Sequence, residues 1–317
     1  MTGIYYHELF GRHLEGYGHV ESPARYRAVI DRLKDCSFTG RLEFVEALPA
    51  DRDAIKAVHE SEYVDGILSL EIDEAVVLDW GDTVATPDTP RAALHAAGAA
   101  VQAAGDVLGG RFANAFCPVR PPGHHAESGR AMGFCLFNNI AIAARWLTGE
   151  AGLDRVAIID WDIHHGNGTE GMFLDDPKVL YVSLHQYPHY PGTGHHNVTG
   201  TGDGTGYTLN IPLGAGADDN LYRGEFEQRI LPALDEFEPG MILISAGFDA
   251  HAEDPLSGAR LSTGMFAEMT VMLARAAGKH CGGKMLSLLE GGYDLDALAD
   301  SVEAHVGALA NRSPAQA

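Results

Sequence analysis

The stretch 155-RVAIIDWDIHHGNG-168 decides the fold class, because an unbroken apolar run leads directly into aspartates and histidines. A short apolar run of this kind is typical of a strand buried on both faces, as in a parallel sheet. Similar runs lie at 113–119, 178–184, 207–213, 241–247 and 284–290. Helical patterns lie around them at 23–35, 51–60, 90–108, 138–150, 219–237, 262–278 and 294–310. Strands that alternate with helices predict an α/β protein with a mainly parallel sheet.

Polar residues follow five of these strands at the point where each strand ends. The segments are 120-RPPGHHAE-127, 161-WDIHHGNG-168, 185-HQYPHYPGTG-194, 248-FDAHAEDP-255 and 291-GGYD-294. In open parallel sheets, ligands bind in the crevice outside the carboxyl ends of the strands. The sequence therefore predicts one functional site, built from these five segments.

The spacing after residue 159 predicts a site for a divalent metal ion. On an extended chain Asp160, Asp162 and His164 share one face, and Asp249 closes another apolar strand. Asp162, His164 and Asp249 would leave coordination positions open, as catalytic sites do. This ligand set suits Zn²⁺ and also accepts Fe²⁺ or Co²⁺, and zinc is our expectation. The alternative is that the aspartates only cap or hydrogen-bond the loop.

Two adjacent histidines and a tyrosine are candidates for proton chemistry beside the metal. Prolines and a glycine make 120-RPPGHH-125 a stiff turn that presents His124 and His125 side by side. Their ordinary pKa lies near neutrality, which suits a general base and a general acid. They could instead be surface residues, or ligands of a second metal in a ureohydrolase-like binuclear site. Tyr293 follows two glycines and could donate to a developing oxyanion, although GGY alone is a weak signal.

Composition limits the partners and the location. The 317 residues carry 22 Lys+Arg against 44 Asp+Glu, a formal charge of −22 that argues against nucleic-acid binding. The four cysteines form no CxxC pair, and no apolar run approaches the roughly 20 residues of a membrane helix. The first residues lack the basic and apolar parts of a signal peptide, so we expect a cytoplasmic protein with no membrane partner. With no repeat and no linker, we expect a single domain over residues 1–317.

Five segments in order resemble one family. RPPGHH, DWDIHHGNGTE, SLHQYPHYPGTG, GFDAHAEDPL and EGGYD are similar to motifs of the zinc-dependent histone deacetylase and acetylpolyamine amidohydrolase superfamily. The similarity runs from about His19 to Leu309. The resemblance implies an arginase-like α/β fold with a single eight-stranded, mainly parallel sheet flanked by helices. It also implies the removal of acetyl or other short acyl groups from N-acylated amines.

The resemblance also implies roles for individual residues. Zinc would be held by Asp162, His164 and Asp249. His125 would act first as general base and then as general acid, and His124 would be backed by Asp160. Tyr293 would polarise the substrate carbonyl. Asn167 would orient His125; class I members have an aspartate at this position, whereas class II members and bacterial relatives have an asparagine.

The implied substrate tunnel and cation sites lie around this centre. The tunnel would be lined by Gly133, Phe134 and Tyr190, with Leu256 at its rim and Arg25 at a cavity behind the zinc. The family usually has phenylalanine where Tyr190 stands. Structural potassium sites in relatives map to two groups of residues here. They are Asp160, Asp162, His164, Ser183 and Leu184, and a second group of Phe173, Asp176, Val179 and Tyr207.

The substrate is the least determined part of the prediction. Polyamine-selective relatives place an acid near position 256, where this chain has leucine, so the resemblance favours an acyl-lysine or a related small N-acyl amine. An acetylpolyamine deacetylase is the alternative, and a ureohydrolase-like binuclear enzyme is a more remote one. A non-catalytic binding module would have lost a ligand, a histidine or the tyrosine. The sequence does not indicate an oligomeric state.

Overall fold

The computed structural model describes residues 1–79, 81 and 83–311, and an eight-stranded sheet lies at its centre. Its strands are β1 (Thr2–Tyr6), β2 (Leu42–Glu46), β5 (Asn114–Cys117), β6 (Val156–Asp160), β7 (Val179–Gln186), β8 (Thr208–Leu213), β9 (Met241–Ala246) and β10 (Met285–Leu289). All neighbouring strands are parallel, in the order β2-β1-β5-β10-β9-β6-β7-β8. The short strands β3 (Val76–Val77) and β4 (Val84–Ala85) form a separate antiparallel pair. The predicted fold class is confirmed.

Helices cover both faces of the sheet, as the unbroken apolar strands require. They are α1 (Pro23–Asp35), α2 (Arg52–Lys56), α3 (Ser61–Leu68), α4 (Thr89–Leu108), α5 (Asn139–Thr148), α6 (Asn167–Phe173), α7 (Asp219–Glu225), α8 (Leu231–Phe237), α9 (Thr263–His280) and α10 (Leu295–Ala310). Strand β6 shows why buried apolar residues do not alternate with solvent-exposed ones along these strands. Ala157 and Ile159 pack in the core beneath α9 and α10, while Val156 and Ile158 pack in the core beneath α4 and α5. A strand buried on both faces reads as a continuous apolar run.

Two regions differ from the sequence-based expectations. The sequence pattern of the N-terminal segment did not predict strands β1 and β2. The predicted helix 219–237 is divided by a π-helical turn, Phe226–Ile230. Pro232, in the first turn of α8, has no N–H to donate to the preceding turn, so a regular α-helix is not continued there. In the part of the chain that the structure describes, no helix has the length and apolar character needed to span a bilayer.

Candidate functional site

The site lies at the carboxyl edge of five neighbouring strands. The sheet order places β5, β10, β9, β6 and β7 side by side, and all five run in the same direction. The loops that follow them carry the polar segments singled out from the sequence. Parallel strands therefore bring together residues from distant parts of the chain, as predicted.

Asp162, His164 and Asp249 form a buried cluster at the centre of this edge. One ligand atom from each lies within 4.8 Å of the others. His164 Nδ1 is 3.1 Å from both Asp162 Oδ1 and Asp249 Oδ2. Strand β6 ends at Asp160, and a bend replaces the extended alternation expected from the sequence. The bend is fixed because Asp162 Oδ1 accepts the His164 N–H and Asp249 Oδ1 accepts the Ile163 N–H.

The cluster fits a divalent metal ion by its donors and by its surroundings. Two carboxylates and an imidazole are typical ligands of a catalytic zinc site. A Cβ atom on Gly291 would collide with the carboxylates of Asp162 and Asp249, so the absence of a side chain keeps this side of the cluster open. Burial would lower the pKa of His164, but the hydrogen bonds to Asp162 and Asp249 raise it to about 10, which shows how strongly the pocket favours positive charge. Among residues 1–79, 81 and 83–311 it is the one such group of three metal-ligating side chains.

His124 and His125 differ sharply in their surroundings. His124 Nδ1 is 3.0 Å from Asp160 Oδ2, and its ring lies 4.0 Å from that of His125. Although burial lowers the pKa of His124, the charges of Asp162 and Asp160 raise it to about 10. For His125, burial and the positive charges of His124 and His164 hold the pKa well below its usual range. This environment favours the neutral form of the His125 imidazole, whose Nδ1 lies 2.8 Å from Asn167 Oδ1.

Tyr293 stands over a buried arginine at the end of β10. The Arg25 guanidinium lies 4.9 Å from the Tyr293 ring centroid and donates to the carbonyls of Glu290 and Gly292. The backbone N–H of Tyr293 donates to Asp254 Oδ2 over 2.7 Å. Burial raises the pKa of the Tyr293 phenol well above its usual range, despite the opposing charge of Arg25. The phenol is thus held as a neutral hydrogen-bond donor.

A cavity of about 240 Å³ leads to this centre. Its lining includes Phe134, Tyr190 and Leu256 with both histidines of the pair, His164 and Tyr293. The Tyr190 ring meets His125 edge to face at 5.1 Å, and Phe134 meets Tyr293 at 6.0 Å. Phe134 has a left-handed backbone (φ 68°), which is costly for a bulky residue and is held here by its N–H bond to Thr83 Oγ1. Gly133 packs against the His125 ring, where a Cβ would clash.

The residues expected to bind monovalent cations also lie near one another in two groups. Asp160 and Ser183 are register partners on adjacent strands, directly beside Leu184. In the second group the Phe173 carbonyl accepts the Asp176 N–H. The Asp176 carbonyl in turn accepts the Val179 N–H, while the Tyr207 carbonyl pairs with strand β7. Cation binding by these groups remains a prediction.

Several buried polar residues at the site were not predicted. Glu290 accepts backbone N–H bonds from Gly123 and His124 at 2.7 and 3.1 Å, which ties the end of β10 to the histidine turn. The fully buried Glu21 carboxylate pairs with both Arg25 and Arg120. Glu290 lies in the motif EGGYD, and Arg120 lies in the motif RPPGHH. The sequence feature that indicates a role for both residues is a charged side chain directly after an apolar strand.

His189 was also missed as part of the cavity. Its ring stacks on that of His164 with centroids 4.9 Å apart and 20° between the planes. Its Nε2 lies 3.0 Å from the Leu256 carbonyl oxygen. Its place in the segment 185–194, one of the five segments predicted to form the site, was the available indication.

The fold and the site define an α/β protein whose ligand cavity ends at residues suited to a divalent ion. Residues 19–309 match the family model described as histone deacetylase domain. The chain is 40% identical over 298 residues to a probable deacetylase of Archaeoglobus fulgidus, covering 93% of this chain and 82% of the relative. It is 38% identical over 279 residues to a histone deacetylase-like amidohydrolase of Pseudomonas aeruginosa, covering 87% and 73%.

A solved structure agrees with these matches. The crystal structure of the HDA15 HD domain superposes with a TM-score of 0.92 at 38% identity, covering 99% of this chain and 89% of that one. The chain belongs to the histone deacetylase family, and the predicted family is confirmed. Its relatives are named deacetylases and amidohydrolases, so the family assignment supports an enzyme that hydrolyses amides.

Proposed function

We propose that this chain is a single-domain, zinc-dependent amidohydrolase that removes acetyl or another short acyl group from N-acylated amines such as acetyl-lysine. The observation that carries the proposal is the convergence of three groups on one cavity. These groups are the metal-ligating cluster, the neutral imidazole of His125 and the phenol of Tyr293. Membership of a family of deacetylases supports the same reaction.

Asp162, His164 and Asp249 would hold the zinc ion, which when bound supplies Lewis-acid polarisation of the scissile carbonyl and activation of the attacking water. His125 accepts the proton of that water, because its low pKa keeps the imidazole neutral. The same residue then returns a proton to the leaving amine. His124 stays cationic beside Asp160 and adds positive charge where the oxyanion develops.

Tyr293 donates the hydrogen bond that stabilises this oxyanion. Its phenol remains protonated at neutral pH, and the Arg25 guanidinium packs against its ring. The Gly133 carbonyl is offered to the N–H of the substrate amide, and Phe134 and Tyr190 flank the acyl-amine chain. Gly133, Phe134 and Tyr190 all line the same cavity as Tyr293.

The cavity favours a slender, uncharged substrate segment. Aromatic rings and Leu256 suit the methylene chain of a lysine, whose charge is removed by acylation. The net charge of −22 favours substrates with positive charge elsewhere, which includes both basic peptides and polyamines. We further propose that potassium binds at the two cation groups and supports the loops after β6 and β7.

Turnover of metal-reconstituted protein tests this function. Acetyl-lysine peptide, N-acetylputrescine and N8-acetylspermidine are assayed in parallel, each with a hydroxamate inhibitor and with Asp162→Ala as control. We expect hydroxamate-sensitive turnover, with a higher kcat/KM for the peptide, and none in the variant. A higher kcat/KM for an acetylpolyamine would show that the substrate class is wrong and would leave the proposed reaction unchanged. Failure to bind one zinc per chain would overturn the proposal.

A further inference from the structure

Glu127 occupies the far side of the amide that contacts His125. Asn167 lies between the two: its Oδ1 faces His125 Nδ1 at 2.8 Å, and its Nδ2 donates to Glu127 Oε1 at 3.0 Å. Met132 Sδ is a second, weaker acceptor for the same Nδ2 at 3.3 Å. The chain from the imidazole to the carboxylate is therefore continuous, with a neutral amide in the middle.

The orientation of this amide decides which nitrogen of His125 carries the proton. With Oδ1 towards the ring, His125 must donate from Nδ1, which leaves Nε2 with the free lone pair of a base. With the amide rotated by 180°, Nδ2 would donate to Nδ1, and the proton of the neutral ring would sit on Nε2. An asparagine has two different ends, so something must fix its rotation, and a carboxylate that accepts only from the NH₂ end does so.

We propose that Glu127 is a positioning residue: it holds the Asn167 amide in the orientation that keeps the His125 proton on Nδ1. This inference rests on the proposed function for the use of that tautomer, whereas the tautomer itself does not depend on turnover. An aspartate at position 167 would not need such help, because its two carboxylate oxygens are equivalent. Glu127 therefore supplies the fixed orientation that an asparagine at position 167 needs and an aspartate does not.

The surroundings of Glu127 allow its side chain to be changed without moving its backbone. Its N–H and the N–H of Arg130 bond to each other's carbonyls, and His59 Nδ1 lies 3.0 Å from the Glu127 carbonyl oxygen. The side chain is 41% exposed and pairs with Arg130 through its other oxygen at 3.0 Å. Arg130→Ala thus removes the ion pair but leaves the acceptor for Asn167, which makes it the matched control.

A double-mutant cycle between positions 127 and 167 tests the proposal. We expect Glu127→Ala to lower kcat about tenfold with KM within about twofold, since one hydrogen bond to a charged, half-exposed acceptor is lost. In the Asn167→Asp background the same Glu127→Ala change should not lower kcat, because no amide remains to be oriented and because it removes a like charge beside the new carboxylate. Glu127→Gln can accept from one end of the Asn167 amide or donate to the other, so it should lose activity much as Glu127→Ala does, whereas Arg130→Ala keeps the carboxylate and should retain most of the activity. An equal loss from Glu127→Ala in both backgrounds would mean that Glu127 only supports the loop, and would overturn the proposal.

A second measurement does not require turnover. In protein labelled with ¹⁵N-histidine, the two ring nitrogen shifts of His125, assigned by their loss in His125→Ala, report the tautomer directly. We expect the Nδ1–H form in the unsubstituted protein and in Arg130→Ala, and a mixture of tautomers in Glu127→Ala and in Glu127→Gln. The Nδ1–H form should return in Glu127→Ala combined with Asn167→Asp. Unchanged shifts in Glu127→Ala refute the positioning role even if no substrate is turned over, whereas absent turnover with the expected shifts refutes only the proposed function.

Discussion

Replacing Tyr293 by phenylalanine removes a single hydroxyl from the cavity while leaving its surroundings in place. The residue is held through its backbone N–H bond to Asp254 and through its ring, which contacts Arg25 and the edge of Phe134. None of these contacts uses the hydroxyl. Tyr293→Phe should therefore fold as the parent protein does, with an unchanged metal content.

The expected loss follows from the proposed role of the hydroxyl as one oxyanion donor. Because burial keeps the phenol protonated, its hydroxyl is available as a hydrogen-bond donor at neutral pH. Loss of one such donor from a buried site lowers kcat by about 10²–10³, or roughly 3–4 kcal/mol of transition-state stabilisation. In the proposed function, Phe134, Tyr190 and Leu256 bind the substrate chain and this hydroxyl does not, so KM should change far less than kcat.

Steady-state kinetics on the peptide substrate, with zinc content and thermal unfolding measured on the same samples, checks this expectation. Tyr6→Phe serves as the matched control, since it removes a phenol hydroxyl at the end of β1, away from the cavity. Activity of Tyr293→Phe within tenfold of the parent would remove Tyr293 from the mechanism. A large loss accompanied by loss of zinc or of folding would show that the reasoning about its contacts is wrong.

Three further predictions concern stability, metal binding and substrate binding. Glu21→Gln leaves two buried arginines without their carboxylate and should lower the free energy of unfolding by about 3–5 kcal/mol in urea titrations. Burial alone would raise the pKa of Glu21, but the charge of Arg120 holds this pKa well below its usual range. The stabilisation that the Glu21 carboxylate gives the unsubstituted protein should therefore be complete above the ordinary glutamate pKa and should decline as the pH falls below it. A free energy of unfolding that does not change with pH in the acid range would contradict this prediction. Gly291→Ala should abolish stoichiometric zinc binding, measured by titration calorimetry, because its Cβ collides with two ligand carboxylates. Tyr190→Phe should change KM by up to about threefold and leave kcat nearly constant, since it touches the bound chain and not the reacting atoms; a kcat defect would place its hydroxyl in the chemistry.

The sequence alone was enough to predict those candidate site residues that directly follow buried strands. An unbroken apolar run identifies such a strand, and the polar residues that follow it must lie at the same sheet edge as their counterparts. This is why Asp162, His164 and Asp249 could be grouped although 85 residues separate the histidine from the last aspartate. The same argument located the histidine turn and Tyr293.

The buried ion pairs could not be predicted in this way. Glu21 and Arg120 are 99 residues apart, and neither position belongs to a periodic pattern. Their pairing depends on how the segment after β1 folds back over the site, which is a tertiary property. The rotation of the Asn167 amide could not be predicted from the sequence either, because it depends on a contact with a loop 40 residues earlier in the chain.

The sheet order explains how one chain builds this site from its two halves. Strands β6, β7 and β8 extend the sheet on one side, and β9 and β10 then return to fill the gap between β6 and β5. Asp249 and Tyr293 therefore reach the site because β9 and β10, which belong to the last quarter of the chain, are inserted between β6 and β5. Glu290 secures this insertion, because its carboxylate binds the backbone of the histidine turn while its carbonyl holds Arg25 beneath Tyr293. One residue thus contacts both the turn that carries the proposed general base and the arginine beneath the proposed oxyanion donor.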